Sequence, residues 1–333
     1  MKTVFGPAML ALGVAASGAA WADQHDANGV DKGKIHHRLN DGAPELNAQA
    51  PALVGQSLTT GTTGAASPAI SNHGGPVMGG APDIHLIWYG KWDQTSGSDT
   101  VAGQQIVQDF MSSVGGSNWM KINTATPVTG KGYTGSGGSS VSGNIATVHT
   151  ANVGYLNNSI KSLSDANIAT VVSNYVATQG GASTNAIYFV LTSSDVTASS
   201  GFCTRYCGWH TTGTVAGVAN VKYSFVGNAN RCLAGCAPQT TSPNGNAGVD
   251  GMVSVLAHEL VETLSDPQLN AWYDSKGAEN ADKCAWTFGA LNAQKFAANG
   301  AVYNVTLGAR NYAIQRNLAA NSKCYVDGVT GQQ

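Results

Sequence analysis

Short apolar runs alternate with stretches of helical periodicity, and this alternation limits the fold more than any other feature of the sequence. Residues 84–89 and 186–191 are apolar on both faces, as in central strands of a sheet. Residues 101–114 and about 158–177 carry apolar side chains at helical spacing, and the Gly/Ser/Thr-rich residues 125–150 indicate strands joined by turns. This order predicts an α/β (α+β) fold, a single layered domain around a mixed central sheet.

Charged residues are few and nearly balanced. The chain has 17 Lys and Arg against 19 Asp and Glu, and charged residues make up 11% of its 333 residues. A nucleic-acid-binding protein needs a basic surface that neutralises phosphates, so we expect no nucleic-acid partner. With 42 glycines, the composition also excludes a coiled coil and favours an extracellular protein with turn-rich loops.

The N-terminus has the pattern of a secretory signal peptide over residues 1–22. A lysine precedes an apolar run at 4–19, and Ala-Trp-Ala at 20–22 fits the cleavage pattern. No segment reaches the roughly 20 apolar residues of a membrane span, so we expect a secreted chain, or one held in a periplasm or cell wall. Residues 23–70 are polar and predict a disordered leader or pro-segment, which leaves 71–333 as the folded domain.

Six cysteines in an exported chain indicate disulfides. Cys203 and Cys207 are close together, as are Cys232 and Cys236, while Cys284 and Cys324 stand apart. We predict two local loops, one within each close pair, and a long bridge from Cys284 to Cys324. A four-thiolate zinc site is the alternative. In such sites the two cysteines of a pair are usually separated by two residues, whereas in this chain they are separated by three.

A histidine and two glutamates lie on one predicted helix. Asp250 is expected to cap this helix and Pro267 to end it. His258 and Glu262, four residues apart, share one face. The His258-Glu259-x-x-Glu262 spacing is that of the zincin HExxH helix, in which two histidines bind zinc and the glutamate is the general base. Glutamate also binds zinc, so we predict a zincin-like domain that holds one zinc ion through His258 and Glu262, with Glu259 as base.

Three further residues complete the predicted site. Glu279 is expected as the third ligand, and Asp282, three residues on, completes the metal set by orienting a ligand. His210 follows Cys207 in a loop that a disulfide would hold, and we assign it a catalytic role as ligand or transition-state donor. A structural histidine bound only by hydrogen bonds is the alternative for His210.

Simpler interpretations remain open for the helix. Ser254, His258, Glu262 and Ser265 also form the polar face that any amphipathic helix would show. Other enzyme classes lack their motifs, since the chain has no GxSxG elbow, P-loop or GxGxxG after a strand. Its tryptophans could form a platform for sugars, but core packing is their ordinary role.

Several longer motifs resemble one known family. They are IHLIWYG, FVLTSSDV, GFCTRYCGWH, FVGNANRCLAGC, the segment around LAHELVETLSDP, and ENADKC. Together, from about residue 70 to the C-terminus, they resemble the EXORDIUM or phosphate-induced proteins of plants and their microbial relatives. The resemblance implies a secreted, cell-wall-associated protein linked to growth, without a defined catalytic activity. It also implies a HExxE and Glu-x-x-Asp-x-Cys pattern, matched here by His258, Glu259, Glu262, Glu279, Asp282 and Cys284.

Two functions follow from the sequence. The first is a secreted zinc metallohydrolase of the peptidase type, acting on peptides. The alternative is a non-catalytic extracellular or cell-wall protein that binds a matrix component or signals growth, with a structural metal or none.

Overall fold

The computed structural model describes residues 35–38, 58 and 68–333. The signal peptide predicted at 1–22, and most of the leader predicted at 23–70, lie outside the described residues. Within the predicted leader, Ile35–Arg38 form a strand. The extent of the leader therefore stays a prediction.

Helices and strands alternate through the described chain. The α-helices are α1 (Val101–Val114), α2 (Asp165–Thr178), α3 (Leu233–Cys236) and α4 (Ala247–Ser265). The strands are β1 (Ile35–Arg38), β2 (Ser71–Asn72), β3 (Asp83–Tyr89), β4 (Val148–Gly154), β5 (Ser162–Leu163), β6 (Ala186–Thr192), β7 (Thr197–Ala198), β8 (Tyr206–Val215), β9 (Val218–Val226), β10 (Trp272–Tyr273), β11 (Lys295–Phe296), β12 (Val302–Tyr303), β13 (Val305–Leu307), β14 (Arg310–Tyr312), β15 (Asn317–Leu318) and β16 (Cys324–Tyr325). Short 3₁₀ turns lie at Met120–Asn123, Ser136–Gly138, Leu156–Asn158, Ala229–Arg231, Asp282–Cys284 and Leu291–Ala293.

Six strands form the central sheet, in the order β1-β8-β9-β6-β3-β4. The four strands β9, β6, β3 and β4 are parallel. At the other end, β8 runs antiparallel to β9, and β1 runs antiparallel to β8. The predicted mixed central sheet in one α/β domain is confirmed. Every residue of β6 is buried, as its apolar run indicates.

Helices cover both faces of the sheet. An ideal Cβ atom on Gly208 of β8 would lie 2.7 Å from Val255 of α4, so Gly208 faces α4. Tyr188 of β6 contacts Tyr175 of α2, and the strand register places Tyr188 on the opposite face from Gly208. Since side chains alternate along a strand, α4 packs on one face and α2 on the other. His210, two residues after Gly208, belongs to the α4 face.

Local signals set where two helices begin. The Thr100 side chain accepts a hydrogen bond from the backbone N–H of Gly103 and caps α1, which spans the predicted 101–114. Helix α2 begins at Asp165, several residues after the predicted 158, because Ser164 forms a capping box with Asn167. Before it, Asn157 has a φ of 50° within the 3₁₀ turn Leu156–Asn158, which interrupts helical geometry there.

The disulfides pair in part as predicted. The long bridge Cys284–Cys324 is confirmed. The two predicted local loops are wrong, since Cys203 pairs with Cys232 and Cys207 with Cys236. The segment that leads into β8 lies beside the segment of α3, so each cysteine meets a partner across the gap rather than four residues along its own chain. These two parallel bonds fasten the start of β8 to the layer that contacts α4.

No helix among the described residues is both long enough and apolar enough to cross a membrane.

Candidate metal centre

Helix α4 supplies the centre of the candidate site. It starts at Ala247 and is capped by Asn246, whose side chain accepts a hydrogen bond from the backbone N–H of Val249, so the prediction of Asp250 as the cap is wrong. Asp250 lies in the first turn, where its carboxylate accepts from Asn244. The helix ends at Ser265, two residues before Pro267, as predicted. Residues 248–265 are all buried, so α4 lies in the core and its polar side chains meet protein rather than solvent.

His258, Glu262 and Asp282 form the first group of potential ligands. His258 Nε2 lies 2.9 Å from Glu262 Oε1 and 3.5 Å from Asp282 Oδ1. The Asp282 backbone N–H donates to Glu262 Oε1 at 3.1 Å, and Asp282 Oδ2 accepts from the Glu279 N–H at 3.1 Å. The loop before the 3₁₀ turn is thus fixed against α4. Cys284, two residues further, ties the same loop to β16.

His210 enters the cluster from strand β8. Its Nε2 atom lies 2.7 Å from Glu279 Oε2 and 3.8 Å from Glu262 Oε2. Glu262 therefore directs one oxygen toward His258 and the other toward His210. One potential ligand atom from each of His210, Glu259 and Glu262 lies within 4.8 Å of the other two, and the same holds for His258, Glu262 and Asp282. A tightly spaced set of this kind, with imidazole and carboxylate donors, matches what Zn²⁺ and related divalent ions bind.

Burial makes the charge of the cluster costly. Glu259, Glu262 and Glu279 are 0% exposed. Burial raises the pKa of Glu262 to about 7, and it raises the pKa values of Glu259 and Glu279 well above the ordinary range, with the Glu262 charge adding to both. Burial opposes a charge on His258, but Glu262 and Asp282 outweigh it and raise the imidazole pKa to about 10. Without a cation, the cluster therefore holds extra protons.

Glu259 indicates that the cluster suits a metal ion. Both of its carboxylate oxygens are buried, and neither has a hydrogen-bond partner among the described residues. A buried carboxylate without a partner is strongly unfavourable, so a group of this kind points to a ligand or to a proton. A divalent ion at this cluster would satisfy it. The donor set and its spacing thus fit the metal predicted from the sequence.

The structure brings together all six residues that the sequence singled out, His210, His258, Glu259, Glu262, Glu279 and Asp282. Their partners differ from the expected ones in one respect. Asp282, expected only to orient a ligand, contacts His258 directly, whereas Glu279 contacts His210. The difference arises because Asp282 begins the 3₁₀ turn that packs on Glu262.

Gly208 is a feature of the site that the sequence analysis missed. An ideal Cβ atom there would lie 3.0 Å from Glu259 Oε1, so only glycine leaves this carboxylate its full space. The glycine precedes His210 by two residues, and this spacing was the available signal, because alternate residues of a strand share a face. Its meaning depends on how α4 packs against β8, which one sequence does not reveal.

Fold and site together define a mixed α/β protein with an enclosed histidine–carboxylate cluster. The phosphate-induced protein 1 conserved region matches residues 70–319. The chain belongs to this family, which confirms the resemblance to EXORDIUM and phosphate-induced proteins.

Curated relatives come from plants. Protein EXORDIUM-like 3 of Arabidopsis thaliana is 30% identical over 280 residues, which cover 73% of this chain and 78% of that protein. Protein PHOSPHATE-INDUCED 1 of Nicotiana tabacum is 31% identical over 229 residues, covering 61% and 67%. Protein EXORDIUM of Arabidopsis thaliana is 30% identical over 232 residues, covering 63% and 69%. No solved structure matches the chain.

Proposed function

We propose that this chain is an exported, non-catalytic EXORDIUM-family protein, built around a divalent metal centre and binding a wall or matrix component. The metal would be held by His258, Glu262 and Asp282. The observation that carries the proposal is the enclosure of the cluster. His258 is 1% exposed and Glu262 is 0% exposed.

Enclosure separates a structural metal from a catalytic one. A catalytic zinc keeps one coordination position open to water and substrate, whereas a structural zinc is closed by protein ligands. In this chain His258 and Glu262 are buried between α4, β8 and the 277–284 loop, and Asp282 is the partly exposed member of the group, with its side chain 17% exposed. Three disulfides, common in oxidising compartments, support the exported location.

One observation favours a metallohydrolase as a second candidate. Glu259 is adjacent to His258, and its carboxylate is unpartnered among the described residues, as a general base awaiting a substrate would be. A zinc ion, when bound, would lower the pKa of a water molecule and polarise a carbonyl group. In that case Glu259 would take the proton from the water, and His210 would bind the substrate oxygen.

Metal analysis together with an activity screen tests the proposal. We expect at least one divalent ion per chain after purification without added metal, and a lower Tm after EDTA, because a ligand bound at about 1,000 times its Kd adds about 4 kcal/mol of stability. We expect no cleavage of a panel of peptides, esters and glycans. Turnover that Glu259→Gln abolishes while metal stays bound would establish the hydrolase instead. Absence of metal, with no Tm response to Zn²⁺, would remove the metal centre altogether.

A further inference from the structure

Two potential ligand groups share one residue. His258, Glu262 and Asp282 form one group, and His210, Glu259 and Glu262 form the other. Glu262 is common to both, and its two oxygens are divided between them. Oε1 lies 2.9 Å from His258 Nε2, and Oε2 lies 3.8 Å from His210 Nε2.

A carboxylate whose two oxygens face different ligand groups can bridge two metal ions. In two-metal sites the ions are about 3.5–4 Å apart, a separation that one carboxylate spans by giving one oxygen to each ion. The Oε1 atom of Glu262 is held in place by the Asp282 backbone N–H at 3.1 Å. The Oε2 atom has no hydrogen-bond partner among the described residues, so it remains available on the His210 side.

Glu259 provides independent support for the second group. Its side chain is 0% exposed, and both oxygens lack a hydrogen-bond partner among the described residues. Gly208 contributes the space beside it, since an ideal Cβ atom there would lie 3.0 Å from Glu259 Oε1. A buried carboxylate is thus kept unpaired next to His210 and Glu262. The ligand that satisfies it must be a cation or a donor.

The charge of the cluster favours more than one divalent ion. Four carboxylates, Glu259, Glu262, Glu279 and Asp282, surround two histidines, which are neutral when they bind metal. Among the described residues, the ion pairs that these carboxylates form are all with the two histidines. Fully ionised, the four carboxylates carry four negative charges, of which one divalent ion balances half. Two divalent ions balance all four, and buried charge is tolerated only when it is balanced.

We propose that the cluster is a dinuclear centre, in which His210, Glu259 and Glu262 bind a second divalent transition-metal ion and Glu262 bridges the two. Glu279 stands beside this second ion, next to His210. The inference rests on the proposed metal centre and adds an ion to it. It also gives Glu259 the role of a ligand rather than a general base, in agreement with a non-catalytic centre.

Stoichiometry tests the inference on the full chain. Protein stripped with a chelator and reloaded with excess Zn²⁺, then desalted, should hold two ions per chain by mass spectrometry of the metal. One ion overturns the second site and leaves the proposed metal centre intact, whereas no ion overturns both. Glu259→Gln should lower the count from two to one. The control Asp250→Asn, a buried carboxylate on the same helix outside both groups, should keep two.

A second measurement needs no variant and so does not depend on how the variants fold. Wild-type protein loaded with Co²⁺ should show a metal–metal distance of about 3.5–4 Å by X-ray absorption. It should also show spin coupling between the two ions. A spectrum of isolated Co²⁺ ions, or a Glu259→Gln variant that folds and keeps both ions, would overturn the assignment.

Discussion

The disulfide Cys284–Cys324 is predicted to fix the metal site as well as the fold. Cys284 ends the 3₁₀ turn that begins with Asp282, and Asp282 contacts both His258 and Glu262. Replacing both cysteines with alanine removes the bond without burying a new polar group. The loop that carries Asp282 then loses its covalent connection to β16.

The expected loss of stability follows from the length of the closed segment. The bond joins residues 40 apart, which by loop-closure entropy corresponds to about 4 kcal/mol. In a domain of this size each kcal/mol lowers Tm by about 2–4 °C, so we expect a decrease of roughly 8–16 °C by calorimetry. Because Asp282 is also less well held, we expect metal affinity to fall about 10- to 100-fold, as when a supporting contact to a ligand is lost.

Removal of the bond Cys203–Cys232 provides the matched control. It joins residues 29 apart, but the neighbouring bond Cys207–Cys236 already closes nearly the same segment. The additional loop is therefore only about eight residues long, which corresponds to about 2.5 kcal/mol. The control should lose stability but keep its metal affinity, measured by competition with a chelator. Equal metal affinities in the two double variants would refute the coupling of Cys284–Cys324 to the site.

Three further predictions concern the same region. In metal-free protein the pKa values of His258 and Glu262 are both raised, so the native state binds more protons than the unfolded state. The Tm measured in EDTA should therefore fall as pH rises from 5 to 8. A Tm that rises over this range would contradict the prediction. Gly208→Ala should cost about 1–3 kcal/mol, because its Cβ would crowd Val255, and should weaken metal binding, because it would also crowd Glu259. Calorimetry and chelator competition measure the two effects, and unchanged metal affinity argues against the contact with Glu259. Asn246→Ala should cost about 1 kcal/mol through loss of the α4 cap, with the metal count unchanged; a loss of metal would show that the cap also shapes the site.

The sequence predicted the elements whose signals are local. The apolar run at 84–89 appears as β3, and the helical period at 101–114 appears as α1, since each pattern matches the burial of one element. The spacing of His258 and Glu262 likewise requires only the geometry of one helix. These features carry their information within a few residues.

What could not be predicted depends on how distant segments pack. The cap of α4 is Asn246 rather than the predicted Asp250, because both residue types are good caps and the helix begins one turn earlier than predicted. The cysteine pairing depends on two segments lying side by side, which no spacing within either segment reveals. Which histidine each acidic residue contacts, His258 for Asp282 and His210 for Glu279, depends on a turn in the loop after α4.

Strand β1 makes the sheet depend on the upstream part of the chain. Ile35 stands opposite His210, so β1 occupies the outer side of the strand that carries this histidine. A protease that cuts after Arg38 would leave β1 without a covalent connection to the rest of the sheet. Once β1 departed, β8 would present an open row of backbone donors and acceptors, and such an edge recruits another strand. Trimming of the chain would therefore change which extended peptides, including second copies of this protein, can join the sheet.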